Sequence, residues 1–116
     1  MRGGDIGQAR RWFQKAADRG HPIAMNNLGD LAMQDGDVSQ ARRWYEKAAD
    51  HGNATAMYNL GLSAQRAAEM DLALDWFERA AESGDCDAMF AFGNLLHESG
   101  EVDQGVAGGR RLPAAG

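Results

Sequence analysis

The feature that most constrains the fold of this chain is an internal repeat with a period of 32 residues. Three twelve-residue strings, starting at positions 9, 41 and 73, read ARRWFQKAADRG, ARRWYEKAADHG and ALDWFERAAESG. Three shorter strings, starting at positions 24, 56 and 88, read AMNNLG, AMYNLG and AMFAFG. Units of roughly 20–50 residues bury their apolar faces against one another, so the pattern predicts a stacked array.

The longer string predicts an amphipathic helix, which we call the B helix. Its apolar side in the second copy is Val38, Ala41, Trp44, Tyr45, Ala48 and Ala49, at the spacing of one helical face. An acidic residue with glutamine three positions later marks its start, as in Asp5 and Gln8, Asp37 and Gln40, and Glu101 and Gln104. Such pairs can cap free backbone amides. Glycine follows each copy, at Gly20, Gly52 and Gly84, and we expect it to end the helix in the left-handed conformation.

The shorter string predicts a second helix, the A helix. Its start is marked by N-caps or by a first-turn proline: Pro22 after His21, Asn53 and Asp85. Glycine recurs in its middle, at Gly29, Gly61 and Gly93. Glycine costs about 1 kcal/mol there relative to alanine. The repetition therefore predicts close helix contact, which we expect with Ala41 and Ala73 of the following B helices.

These signals together predict an all-α solenoid of about six helices. We expect B helices over 6–19, 38–51 and 70–83, and A helices over 22–34, 54–67 and 86–98. The repeats span 5–104, after a short stub at 1–4. Helices of about 12 residues are marginal in isolation, so their stability has to come from stacking.

The repeat register stops at Gly105, and residues 105–116 are rich in glycine and alanine. A degenerate repeat or a disordered tail explains this. We also hypothesise a fourth B helix read out of frame, because codons able to encode this tail can give Arg-Arg-Trp-Trp-Gln-Ala-Ala-Ala in another frame. The nucleotide sequence decides between these interpretations.

The first predicted helix is a B helix and the last is an A helix, so both ends of the array lack a partner. Apolar surface around Trp12, Phe13 and Met89 is therefore expected to stay exposed. We predict fraying or self-association through these uncapped ends.

Composition excludes several classes of function. A net charge of −5 and a pI near 5.0 oppose nonspecific binding to nucleic acid or anionic lipid. Cys86 is the single cysteine, so no intramolecular disulfide or cysteine-rich zinc site is expected. No signal-like or membrane-spanning stretch is present. We expect a cytoplasmic protein without cofactor or metal, and the sequence contains no catalytic motif.

Aromatic and basic side chains leave alternatives open. Trp12, Trp44 and Trp76 recur at one B-helix position, where a base-stacking ladder is conceivable; their place on the apolar stripe favours core packing. The arginine pairs at 10–11 and 42–43 are expected on solvated surface. Cap or loop roles are expected of His21, His51 and His97, and Cys86 is expected to be an ordinary thiol.

The order Leu28-Gly29, Ala41, Tyr45 and Ala48 resembles the tetratricopeptide repeat. The strings WYEKAADHG and AMYNLG resemble its Sel-one-like branch more closely, although the loop at 34–37 is shorter than is usual there. The resemblance covers residues 4–104. It implies a right-handed superhelix whose concave face, lined by A helices, receives a peptide or protein segment.

The positions that the resemblance assigns to this groove fall on all three A helices. They are Asn26, Asp30 and Met33, then Tyr58, Leu62, Gln65 and Arg66, then Phe90, Asn94, His97 and Glu98. Some members of the family clamp a terminal carboxylate with groove lysines, arginines and asparagines. Asp30 and Glu98 oppose that ligand in this sequence.

Two functional hypotheses follow. The first is a noncatalytic interaction module, an adaptor or scaffold that binds a protein or peptide and neither nucleic acid nor membrane. The second is an assembly or structural segment of a larger regulatory protein, with the groove unused. An enzyme is a third class, which we do not expect.

Overall fold

The computed structural model describes residues 4–99, which form six α-helices and no strand. The helices are α1 (Gly4–Asp18), α2 (Pro22–Gln34), α3 (Val38–Asp50), α4 (Ala54–Arg66), α5 (Met70–Glu82) and α6 (Cys86–Ser99). Three residues connect each helix to the next. The predictions for residues 1–3, for the cap pair Glu101 and Gln104 and for the tail at 105–116, frameshift included, lie outside the described residues, as does the side chain of Asp5.

The all-α solenoid predicted from the repeat is confirmed. Each helix packs on the next one along the chain, and the most extensive contacts join α2 to α3 and α4 to α5. These two pairs are the A and B helices of one repeat. The B helices α1, α3 and α5 then pack on the A helix of the following repeat, so every internal helix lies between two neighbours.

The junctions from B to A helices are built by glycine and a capping side chain. Gly52 has a φ of +86°, and its N–H donates to the Ala49 carbonyl at 2.8 Å. The N–H of Asn53 donates to Ala48 O, and its side-chain oxygen accepts from Ala56 N at 2.7 Å. Asn53 thus hydrogen-bonds both to the last turn of α3 and to the first turn of α4. These bonds pair backbone groups that would otherwise lack a partner at the two helix ends.

The other junctions confirm most of the predicted caps. Asp37 accepts from Gln40 N at 3.0 Å, Asp85 from Ala88 N at 2.9 Å, and His21 Nδ1 from Ala24 N at 3.2 Å. Gly20 and Gly84 have φ of +85° and +98°, as expected of helix-ending glycines.

Alanine makes up about half of the buried apolar residues that the structure describes, and leucine, methionine, tyrosine and phenylalanine make up the rest. Leu74 and Phe77 are the largest of the described side chains that are fully buried. Val38 was expected on the apolar face and is 49% exposed. It lies in the first turn of α3, one turn before the buried stripe begins at Ala41, and Ile6 and Met70 are exposed at the same repeat position.

The mid-helix glycines contact aromatic rings, which corrects the expectation of alanine partners. A Cβ built on Gly29 would lie 2.5 Å from Tyr45 Cε1, and one on Gly61 would lie 2.5 Å from Phe77 Cδ1. The glycine is required because a flat ring is laid directly against the A-helix backbone. Close contact was predicted correctly, and its partner was wrong.

The tryptophans are less buried than a core position requires. Trp12 is 65% exposed, which confirms the exposure expected of it at this end of the array and contradicts the core packing expected of all three tryptophans. Trp44 and Trp76 are half-buried against the core. A cation three residues later lies over each ring: Lys15 at 5.5 Å, Lys47 at 5.0 Å and Arg79 at 4.3 Å from the ring centroid. This one-turn pairing places a cation against the negative face of the indole.

Candidate functional site

A cavity of about 230 Å³ lies between α2 and α4. Its lining side chains are Asp30, Met33, Tyr45, Asn59, Leu62 and Arg66. Four of these were predicted from sequence as groove residues, and they come from two different A helices. The cavity combines two apolar side chains, an amide and charges of both signs.

The deepest part of the cavity is held by the phenol of Tyr45, which is 3% exposed. Its hydroxyl donates to Asp30 Oδ1 at 2.6 Å. Burial first, then the hydrogen bond and the negative charge of Asp30, raise the pKa of Tyr45 well above its ordinary value, while Arg66 opposes this. The phenol is therefore a fixed neutral donor that orients the Asp30 carboxylate.

A second polar contact links the two A helices. Asn59 Nδ2 donates to Asn26 Oδ1 at 2.9 Å, and Asn26 is only 7% exposed. Asn26 therefore serves to join α2 to α4. Of this pair, Asn59 is the one that lines the cavity. Sequence reasoning missed Asn59, although asparagine also stands one period earlier, at Asn27.

The cavity continues into a second one of about 320 Å³. The second cavity is lined by Met33, Val38, Arg42, Ser63, Arg66 and Ala67. Met33 and Arg66 line both, so the two cavities form one strip along the ends of α2 and α4. Arg42 brings a second cation to this strip from α3.

The remaining predicted residues are distributed differently. Tyr58 is half-buried, and its ring packs on Phe77 with centroids 5.8 Å apart. Gln65 is also half-buried. The four α6 residues Phe90, Asn94, His97 and Glu98 are all exposed, on the last described helix.

Within residues 4–99, no group of three or more histidine, cysteine, aspartate and glutamate side chains is placed to hold a metal ion. Across the same residues, no helix combines the length and apolar character that crossing a bilayer requires. Cys86 is a free and exposed thiol.

Comparison with known families assigns the repeats. Residues 1–54 match the tetratricopeptide repeat and residues 54–85 match the Sel1 repeat. The chain therefore contains repeats of the tetratricopeptide and Sel1 families. A comparison with curated proteins gives no match.

Repeats of these two families are in general protein–protein interaction modules, and they are typically noncatalytic. The strip between α2 and α4 draws its lining from more than one helix.

Proposed function

We propose that this chain is a noncatalytic adaptor or scaffold module that binds an extended protein or peptide segment on the face formed by its A helices. The observation that carries the proposal is the cavity in which Asp30 and Met33 of α2 meet Leu62 and Arg66 of α4. A ligand there touches two repeats at once.

The chemistry of the lining favours an internal peptide segment. Met33 and Leu62 offer apolar contact, and the Asp30 carboxylate, already oriented by Tyr45, accepts hydrogen bonds from ligand N–H groups or a lysine. Arg66 is exposed and can donate to backbone carbonyls. A terminal carboxylate would meet the like charge of Asp30, so the groove is poorly suited to clamp a chain end.

The groove extends toward α6 in this proposal, through Tyr58 and Gln65 to Phe90, Asn94, His97 and Glu98. Tyr58 also packs on Phe77, so replacing it would disturb the fold together with binding. The first test is therefore placed on Arg66 and Leu62.

The experiment uses peptides as the probe. A display library of random linear peptides is selected on the intact chain, and the selected peptides are measured by fluorescence anisotropy against Arg66→Glu, Leu62→Ser and the unmodified chain. Arg43→Glu is the matched control, because Arg43 is an exposed arginine on α3 outside both cavities. Circular dichroism establishes that each variant is folded.

We expect at least about a tenfold loss of affinity for Arg66→Glu and for Leu62→Ser, equivalent to about 1.4 kcal/mol. The Arg43→Glu control should bind as the unmodified chain does. Equal affinity for all four proteins would refute the groove assignment.

A further inference from the structure

Two apolar side chains of α6 are exposed where the other A helices bury theirs. Met89 is 49% exposed, whereas Met25 and Met57 at the same repeat position are 5% and 6% exposed. Phe90 is 72% exposed, whereas Tyr58 is half-buried against the B helix that follows it. The exposed side of α6 is therefore the side on which α2 and α4 receive a B helix.

Gly93 marks the missing contact most clearly. Gly29 and Gly61 are covered by aromatic rings, but apart from its chain neighbours and the backbone of its own helix, no heavy atom of the described residues lies within 4 Å of a Cβ built on Gly93. Residues 100–116 contain no phenylalanine, tyrosine or tryptophan. This segment therefore supplies no aromatic ring that could cover Gly93 as the other two glycines are covered.

The complementary surface is on α1. Ala9, Phe13 and Ala16 are half-buried. At the same repeat positions, Ala41, Tyr45 and Ala48 are 1%, 3% and 0% exposed, and Ala73, Phe77 and Ala80 are each 0% exposed. The helices α3 and α5 pack on a preceding A helix, and among the described residues α1 has none before it. Among the described residues no A helix packs on this side of α1, and that accounts for the difference.

A cavity of about 530 Å³ lies on the same side of α1. It is lined by Trp12, Lys15, Ala16, Asp18 and Arg19. The residue equivalent to Arg19 is Ser83, directly after the end of α5, and its Oγ lies 3.8 Å from the sulfur of the buried Met57. The preceding A helix thus places a methionine at this position, and on α1 that space is open.

The two end helices also carry opposite net charge, although Arg10 of α1 is already paired with Asp35 at 3.1 Å. Residues 6–19 contain four cationic side chains, Arg10, Arg11, Lys15 and Arg19, and one acidic side chain, Asp18. Residues 85–98 contain three acidic side chains, Asp85, Asp87 and Glu98, and no lysine or arginine. Such complementarity favours encounter between the two ends.

We propose that α1 of a second copy of this chain docks on α6, in the register that α3 uses on α2 and α5 uses on α4. Phe13 of the second copy covers Gly93 and packs on Phe90, as Phe77 covers Gly61 and packs on Tyr58. Met89 enters the cavity beside Arg19. The contact joins two different surfaces, so it repeats head to tail and builds open chains of copies.

The test is sedimentation equilibrium of the intact chain from micromolar to millimolar concentration. The average mass should rise with concentration, and the association should weaken as salt screens the opposed charges. Gly93→Leu blocks the α6 side and Ala9→Arg blocks the α1 side; each should weaken association at least about tenfold.

Each blocking substitution has a matched control. Gly7→Leu places the same side chain on a helical glycine with open space around it, and Gln8→Arg makes the same charge change beside Ala9. Gly7 and Gln8 are exposed, and so are the residues at the equivalent positions 39 and 40 in α3 and 71 and 72 in α5. Both control variants should therefore associate as the unmodified chain does.

A mixing experiment identifies the geometry. Gly93→Leu keeps a working α1 and Ala9→Arg keeps a working α6, so each variant alone should be monomeric and an equimolar mixture should form dimers and nothing larger. A monomeric unmodified chain at every concentration would overturn the proposal. Association that the blocking substitutions leave unchanged, or a mixture that stays monomeric, would overturn it as well.

These results are separable from those on the groove. Arg66→Glu and Leu62→Ser lie between α2 and α4 and should leave self-association unchanged, while Gly93→Leu should leave binding in the cavity of Arg66 unchanged. Phe90 belongs to both surfaces, and for that reason neither experiment rests on it.

Discussion

The ring of Tyr45 lies flat against the backbone of α2 at Gly29, where an added Cβ would come within 2.5 Å of the ring. Both residues are buried, and the Tyr45 hydroxyl is tied to Asp30. The ring therefore cannot move aside without breaking that hydrogen bond. The same arrangement recurs with Phe77 and Gly61, and it is the contact by which each A helix and its B helix meet.

Gly29→Ala should therefore destabilise the protein. The gain of about 1 kcal/mol in helix propensity is smaller than the cost of overpacking a buried ring, which is typically about 1–3 kcal/mol on its own. Gly93→Ala is the matched comparison, because open space surrounds it among the described residues; there the propensity gain should appear as added stability. Urea unfolding followed by circular dichroism measures both, and equal stabilisation by the two substitutions would contradict the packing described.

Tyr45 and Asp30 should behave as a coupled pair. Tyr45→Phe leaves the half-buried Asp30 carboxylate without its donor and should cost about 1–2 kcal/mol. The next repeat shows which change compensates. It has Phe77 at the position equivalent to Tyr45 and Leu62 at the position equivalent to Asp30. The double variant Asp30→Leu with Tyr45→Phe should recover most of the loss. A double-mutant cycle in urea measures the coupling, and strictly additive effects would count against it.

Stability should fall at alkaline pH through Tyr45. Because the pKa of Tyr45 is raised in the folded state, the phenol keeps its proton above pH ~10 while the unfolded chain loses its own. Above pH ~10, unfolding therefore releases a proton, and Tyr45 lowers the free energy of unfolding by up to about 1.4 kcal/mol per pH unit. Below pH ~10, Tyr45 causes no pH-dependent loss of stability. Tyr45→Phe removes the contribution. Unfolding curves between pH ~8 and ~12 should therefore show the stability advantage of the unmodified chain shrinking with pH, and a constant difference would refute the assignment.

Ala68 occupies a backbone conformation that favours glycine. Its φ is +62°, and at the equivalent position of the preceding repeat Gly36 has a φ of +82°. Ala68→Gly should raise the free energy of unfolding by about 1 kcal/mol, because the left-handed conformation costs alanine about 1–2 kcal/mol and glycine nothing comparable. Gly36→Ala should have the opposite effect. Thermal and urea unfolding give both values, and destabilisation by Ala68→Gly would show that backbone strain at this position is not what limits stability.

Much of the fold could be predicted because the same capping residues, helix-ending glycines and apolar positions recur in each repeat. The glycine after each B helix and the caps at Asp37, Asn53 and Asp85 act within a few residues of the chain. Their hydrogen bonds join residues three positions apart, so the local sequence is enough to predict them. The burial expected of Val38 was wrong for a physical reason, and of the two expectations for Trp12, core packing and exposure at the end of the array, the second is confirmed. Periodicity shows which side of a helix is apolar, but how far a neighbour covers that side depends on where the neighbour ends.

The candidate site was harder to predict, because its geometry depends on contacts between helices. Asp30, Met33, Leu62 and Arg66 were assigned to a groove by the family resemblance, and that they line one cavity together depends on the tertiary packing of α2, α3 and α4. The link between Asn26 and Asn59 spans 33 residues, and no short-range pattern marks it. Tyr45 was expected only to fill the core, since its hydroxyl finds Asp30 through the tertiary fold.

The uniform three-residue connections have a mechanical consequence. Because three residues join each described helix to the next, we expect this part of the chain to form no hinged lid and to change shape through small rotations at its helix interfaces. Such an array responds to load as a spring does, because each repeat couples only to its neighbours. A ligand that contacts both α2 and α4 would restrict rotation between these two helices. The helix interfaces on either side would keep their flexibility.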